Sequence, residues 1–132
     1  FLTTHIPALN VIVAGESNGA IISDSVMNTL RYNQRVYSIQ TGPPFWYRQT
    51  MLERTLVLEN NGLMPDAFST GDAGAILLAS AKALLGLTPR DDEPGRILSF
   101  LRAPGHDYRW QYPNVYYQIT NFLEKNFGIK QS

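Results

Sequence analysis

The sequence predicts an α/β fold, a mostly parallel sheet of about four strands with flanking helices. Three observations predict it. Short apolar runs alternate with longer segments of helical spacing, as in strands joined by crossovers. The first run, Leu9–Ala14, is continuously apolar, which suits a strand covered on both faces. That run ends in Gly15-Glu16-Ser17-Asn18-Gly19 and passes into a small-residue helix start, a sharp strand-to-helix turn of the kind that parallel sheets use.

The elements follow in order. After the Leu9–Ala14 strand, Asn18–Leu30 places Ala20, Ile21, Val26, Met27 and Leu30 on one helix face. Arg31–Arg35 is a polar connection, and Val36–Gln40 is a second strand stopped by Gly42-Pro43-Pro44. Phe45–Arg54 reads as a short helix after an aromatic loop. Thr55–Glu59 is a third strand, and Asn60-Asn61-Gly62 turns the chain after it. Ala73–Leu85 is dense in Ala and Leu and therefore helical, with Ser69 or Thr70 as its cap and Gly86 as its stop. Thr88–Gly95, with its acidic triplet, is a polar surface loop. Ile97–Leu101 is a fourth strand. Pro113 opens a last helix whose apolar face is Val115, Tyr116, Ile119, Phe122 and Leu123, ended by Gly128. No internal repeat or linker divides residues 1–132, so one domain is expected.

Composition narrows the function classes. The chain has 132 residues, 44% of them hydrophobic and 17% charged, enough for one folded domain with a core. Eleven basic residues balance eleven acidic ones, which argues against nucleic acid or an anionic membrane as partner. The apolar runs are too short to span a bilayer. With no cysteine there is no disulfide framework and no Cys-based metal site; no metal and no cofactor is expected, and the compartment stays open. Phe1-Leu2-Thr3-Thr4 is neither an initiator methionine nor a signal peptide, so the chain is expected to begin inside a longer gene product.

In a parallel α/β sheet, functional groups gather at the carboxyl ends of the strands. Ser17 lies at the first such end, Gly42–Trp46 at the second, Asn60, Asn61 and Asp66 at the third, and Gly105-His106-Asp107 at the fourth. A serine hydroxyl is a weak nucleophile and needs an adjacent base. Histidine suits that task near neutral pH, and a carboxylate must fix its tautomer. Of the two histidines, His5 precedes the first strand and belongs to the opposite end of the sheet, which leaves His106 as the base. Asp66 is the preferred acid. Asp72 is a rival, although the dipole of the Ala-rich helix already accounts for a carboxylate there. Glu59, at the end of its strand, is a third candidate, and Asp107 should point away from its neighbour His106. Phe45 and Trp46 could line a substrate pocket or simply pack over the sheet edge. A phosphate-binding doubly wound domain is an alternative, but the chain lacks G-x-G-x-x-G and the P-loop Gly-Lys-Ser/Thr, and Glu16 would oppose an anion.

Gly15-Glu16-Ser17-Asn18-Gly19 resembles the nucleophile elbow of the α/β-hydrolase superfamily. Ala103-Pro104-Gly105-His106-Asp107-Tyr108 with the Pro113–Leu123 helix resembles its histidine loop and closing helix. Leu56–Asn61 with Pro65-Asp66 resembles its acid-bearing strand and turn, and the order Ser, Asp, His is also that of the superfamily. The resemblance covers nearly the whole chain and corresponds to the C-terminal half of the fold. It implies a serine esterase or lipase-like carboxylic ester hydrolase acting through an acyl-enzyme on a small-molecule or lipid ester. Ser17 would be the nucleophile, His106 the base, Asp66 its orienting acid and the Asn18 N–H an oxyanion-hole donor. It also implies that N-terminal strands and a second oxyanion donor come from elsewhere. A missing segment or a second chain is then expected to pair with the first strand. A hydrolase-like domain used for binding or scaffolding, without turnover, is the further alternative.

Overall fold

The computed structural model describes residues 2–50, 52–88, 95–98 and 100–128. Its centre is a three-stranded parallel sheet in the order β1-β2-β3, formed by β1 (Val11–Glu16), β2 (Val36–Thr41) and β3 (Thr55–Leu58). Register runs from Val11 opposite Val36 to Glu16 opposite Thr41, and from Ser38 opposite Thr55 to Thr41 opposite Leu58. All three carboxyl ends therefore finish at one edge of the sheet.

Helices cover the two faces unequally. A short α1 (Leu2–His5) precedes β1, and α2 (Asn18–Thr29) crosses from β1 to β2 and lies on both. It buries Ala20, Ser23, Asp24 and Met27 over the face of β2 that carries Val36, Ser38 and Gln40. On the opposite face, Tyr37 of β2 meets the rings of Phe122 and Phe127 at 6.4 and 4.6 Å. Those rings belong to α5 (Pro113–Phe127), which starts on a proline because the first helical turn needs no N–H there. Between β3 and α5 lie α3 (Ala67–Thr70) and α4 (Ala73–Leu84), where Ala67, Phe68 and Ala103 form a small apolar core with Ala75, Ile76 and Ile97 packed against it.

Several expectations change. The first strand runs Val11–Glu16, and only one of its faces is covered: Ile12, Ala14 and Glu16 are exposed. It is one of the two edge strands, with α2 on one side only. Among the described residues of Ile97–Leu101, no fourth strand joins the sheet. The Ile97 N–H donates to the Leu101 carbonyl and the Ala103 N–H to the Gly95 carbonyl, on either side of an antiparallel bridge between Arg96 and Arg102, so these backbone groups are satisfied locally. Residue 99 of that run, and residues 89–94 of the expected 88–95 loop, lie outside the described residues. Among the described residues of Phe45–Arg54, the expected helix is also absent. Buried Asp24 accepts the Tyr47 hydroxyl at 2.9 Å and the Thr50 N–H at 3.1 Å, and Gln49 donates to Gln40, which holds the segment against α2 and β2. The cap of the Ala-rich helix is Asp72, accepting the Ala75 N–H at 2.9 Å, while Ser69 and Thr70 belong to α3. Among the described residues, no helix is long and apolar enough to cross a membrane, and no three His, Asp or Glu side chains cluster as metal ligands.

Candidate active site

Ser17 joins β1 to α2 with φ 56° and ψ −120°, and it is the sole non-glycine residue with positive φ among those described. An L-residue in such a conformation is strained by about 1–3 kcal/mol, and such strain concentrates at functional sites. The turn is held by the Ser17 N–H, which donates to the Thr41 carbonyl at the end of β2 at 2.9 Å. Serine at a helix N-cap usually turns its hydroxyl back onto the helix N–H groups. Here the hydroxyl makes no capping bond and is left for other chemistry. Of the two elbow glycines, Gly15 is sterically required, since a Cβ there would collide with the Gly19 carbonyl and Ser23 Oγ. A Cβ at Gly19 would meet nothing within 4 Å.

Asp66 stands before α3 and does two jobs with two oxygens. Its Oδ1 caps the helix, accepting the N–H groups of Phe68 at 2.8 Å and Ser69 at 3.2 Å. Its Oδ2 faces His106 Nδ1 at 2.8 Å and accepts the hydroxyls of Tyr108 at 2.7 Å and Ser69 at 2.9 Å. Burial pushes this carboxyl up, but the bonds from His106 and Tyr108, the charge of His106 and the bond from Ser69 outweigh it and hold the group below the ordinary carboxylate value. Asp66 is thus ionised and can only accept. The Nδ1 of His106 must then carry the proton, which leaves the Nε2 lone pair as a base.

The histidine loop reaches Asp66 because Gly105 brings the two segments together. A Cβ at Gly105 (φ 80°) would collide with the Pro65 carbonyl, and the Ala67 N–H donates to the Pro104 carbonyl at 2.8 Å. The imidazole then rests on Gly42, where a Cβ would lie 2.6 Å from His106 Cε1 and 2.9 Å from Tyr108 Cε2. Gly42 follows Thr41, the residue that accepts the Ser17 N–H, so Ser17 and His106 approach the same carboxyl end of β2. The two side chains are not hydrogen-bonded to each other among the described residues; such bonds often close only when substrate is present.

The other candidates separate cleanly. Asp72 is exposed at the α4 cap, Glu59 is exposed beyond β3, and Asp107 turns to the Tyr112 hydroxyl at 2.7 Å and Arg109 Nε at 3.1 Å. His5 is exposed on α1, before the amino end of β1. Asn18 begins α2, where its N–H has no intrahelical partner. In the loop after β2, the Gly42 N–H goes to Leu58 O, Pro43 and Pro44 have none, and the Phe45 N–H goes to Phe68 O. Phe45 and Trp46 are 57% and 58% exposed, and edge-to-face contacts link them through Phe68 to His106 at ring separations of 4.9, 5.2 and 4.9 Å. A cleft of about 410 Å³ opens beside Phe45, Glu59 and Ser69, on the acid side of the site. Tyr108, Ser69, Phe68 and Gly42 join the site through tertiary contact, with no motif signal of their own beyond the place of Tyr108 in the histidine loop.

No family model, curated protein or solved structure matches this chain.

Proposed function

We propose that the chain carries the nucleophile, base and acid of a serine hydrolase that cleaves an ester-like bond through an acyl-enzyme. The supporting observation is the buried Asp66–His106 bond of 2.8 Å at the sheet edge where Ser17 is held at φ 56°. In this reading, Ser17 Oγ attacks the substrate carbonyl and gives its proton to His106 Nε2. The Asn18 N–H stabilises the resulting oxyanion. The carbon–oxygen bond to the leaving alcohol then breaks as His106 returns the proton to that oxygen. Water, deprotonated by His106, then adds to the acyl carbonyl, and the bond to Ser17 Oγ breaks as His106 returns the proton to that oxygen, releasing the acid. Asp66 stays ionised throughout and stabilises the imidazolium. Phe45 and Trp46 would wall the acyl or alcohol side with apolar surface. The resemblance to the C-terminal half of an α/β-hydrolase agrees with this assignment, and it implies a neighbouring strand along the free edge of β1 that supplies the second oxyanion donor.

One observation favours a binding or scaffolding role without turnover, namely that Gly42 to Phe45, the residues directly after β2, present no spare N–H for an oxyanion. A fluorophosphonate probe separates the two readings. Covalent labelling that is lost in Ser17→Ala and strongly slowed in His106→Ala is expected of a hydrolase. Absence of labelling refutes it.

A further inference from the structure

We propose that Tyr108 is a positioning residue of the Asp66–His106 pair: its hydroxyl fixes which carboxylate oxygen faces the imidazole and how tightly that oxygen holds the Nδ1 proton. The catalytic consequence rests on the hydrolase reading above; the physical claim stands on geometry alone. Three donors converge on Asp66 Oδ2, namely His106 Nδ1 at 2.8 Å, Tyr108 OH at 2.7 Å and Ser69 Oγ at 2.9 Å. A carboxylate oxygen offers about two lone-pair directions. The donors therefore compete for one pool of charge, and each weakens the hold of the others.

Tyr108 also confines the imidazole sterically. Its ring meets that of His106 edge-on at 6.1 Å and 89°, while Phe68 meets the imidazole at 4.9 Å. Both the His106 and Tyr108 rings rest on Gly42. The phenol remains a neutral donor, because burial and then the bond and charge of Asp66 push its ionisation well above the ordinary tyrosine value, with Glu16 at the end of β1 adding to the effect. Among the described residues, Tyr108 of the histidine loop and Glu16 at the end of β1 are the further titratable groups brought to this pair. Asp107 is occupied by Arg109 and Tyr112.

The test is Tyr108→Phe, which keeps the ring and removes the hydroxyl. With one donor fewer on Oδ2, the Nδ1 proton of His106 should move downfield in proton NMR, and the Asp66 carboxyl should titrate at higher pH by carbon NMR. With only two histidines in the chain, His5→Gln assigns the signal. Fluorophosphonate labelling of Ser17 should slow by about tenfold, the scale on which partners of an oriented histidine act. Tyr112→Phe, which removes the like bond at Asp107, should leave the His106 and Asp66 signals in place. Unchanged signals in Tyr108→Phe overturn the proposal. If that variant does not fold, 3-fluorotyrosine at position 108, a stronger donor, should move the Nδ1 proton upfield, and no movement overturns it equally. A chain that never labels refutes the hydrolase reading while the NMR arm still decides the role of Tyr108.

Discussion

Replacing Asp66 by asparagine removes one charge from the centre of the site and keeps its shape. The carboxylate takes five hydrogen bonds, two on Oδ1 and three on Oδ2. An asparagine carbonyl can keep the two cap bonds from Phe68 and Ser69. Its NH2 group then faces His106 Nδ1, which must become an acceptor and send its proton to Nε2. The base lone pair is lost, and a wrong tautomer of this kind lowers turnover by about 10⁴. Three charge-assisted bonds are weakened or lost, each about twice as strong as a neutral bond worth roughly 1 kcal/mol, so about 2 kcal/mol of stability should disappear once the lower desolvation cost of the amide is counted. The sign of the pH dependence follows from the lowered Asp66 value. The folded state binds the Asp66 proton less tightly than the unfolded state. Its contribution is therefore fully present above the unfolded carboxylate value of about 4, and it is lost as pH falls through the folded value. Fluorophosphonate labelling rates and urea unfolding from neutral to acid pH measure both effects. Labelling of Asp66→Asn at the wild-type rate, or a stability gap that does not close in acid, refutes the reasoning.

Further outcomes follow from other contacts. Gly42→Ala would put a Cβ 2.6 Å from His106 Cε1, and a displacement of the imidazole by about 1 Å should slow Ser17 labelling by about 10² with the fold retained by circular dichroism. Ser17→Gly should be about 1 kcal/mol more stable than Ser17→Ala in urea unfolding, since glycine tolerates φ 56° and alanine does not; equal stability would mean that the turn is unstrained. Asp24→Ala removes the acceptor of the Tyr47 hydroxyl and the Thr50 N–H, and should cost about 2–3 kcal/mol and speed tryptic cleavage after exposed Arg48.

Much of this protein was legible in its sequence because the signals are local. The apolar runs at β1, β2 and β3, the helical spacing of α2, Pro113 at the start of α5 and the glycines flanking Ser17 all act through backbone preference or periodicity within a few residues. The same locality placed Ser17 at the end of β1, whereas Asp66 caps α3 and His106 follows no strand among the described residues. Ile97–Leu101 misled because a short apolar run has no period long enough to separate a strand from a reversal. Phe45–Arg54 misled because Asp24, more than twenty residues earlier, holds that segment by its side chain.

The sequence alone determined an alternating α/β order, a strained serine turn at the end of the first strand and a histidine loop near the C-terminus. Only tertiary structure decided which carboxylate serves the histidine. Asp66, Asp72 and Glu59 are equivalent as residue types, but only Asp66 is wholly buried with an oxygen free of capping duty and aimed at His106. It decided likewise that Tyr108 shares that oxygen and that Gly42 makes room for both rings. Those relations join positions about forty or more residues apart, where short-range preference carries no information and packing alone selects the partner.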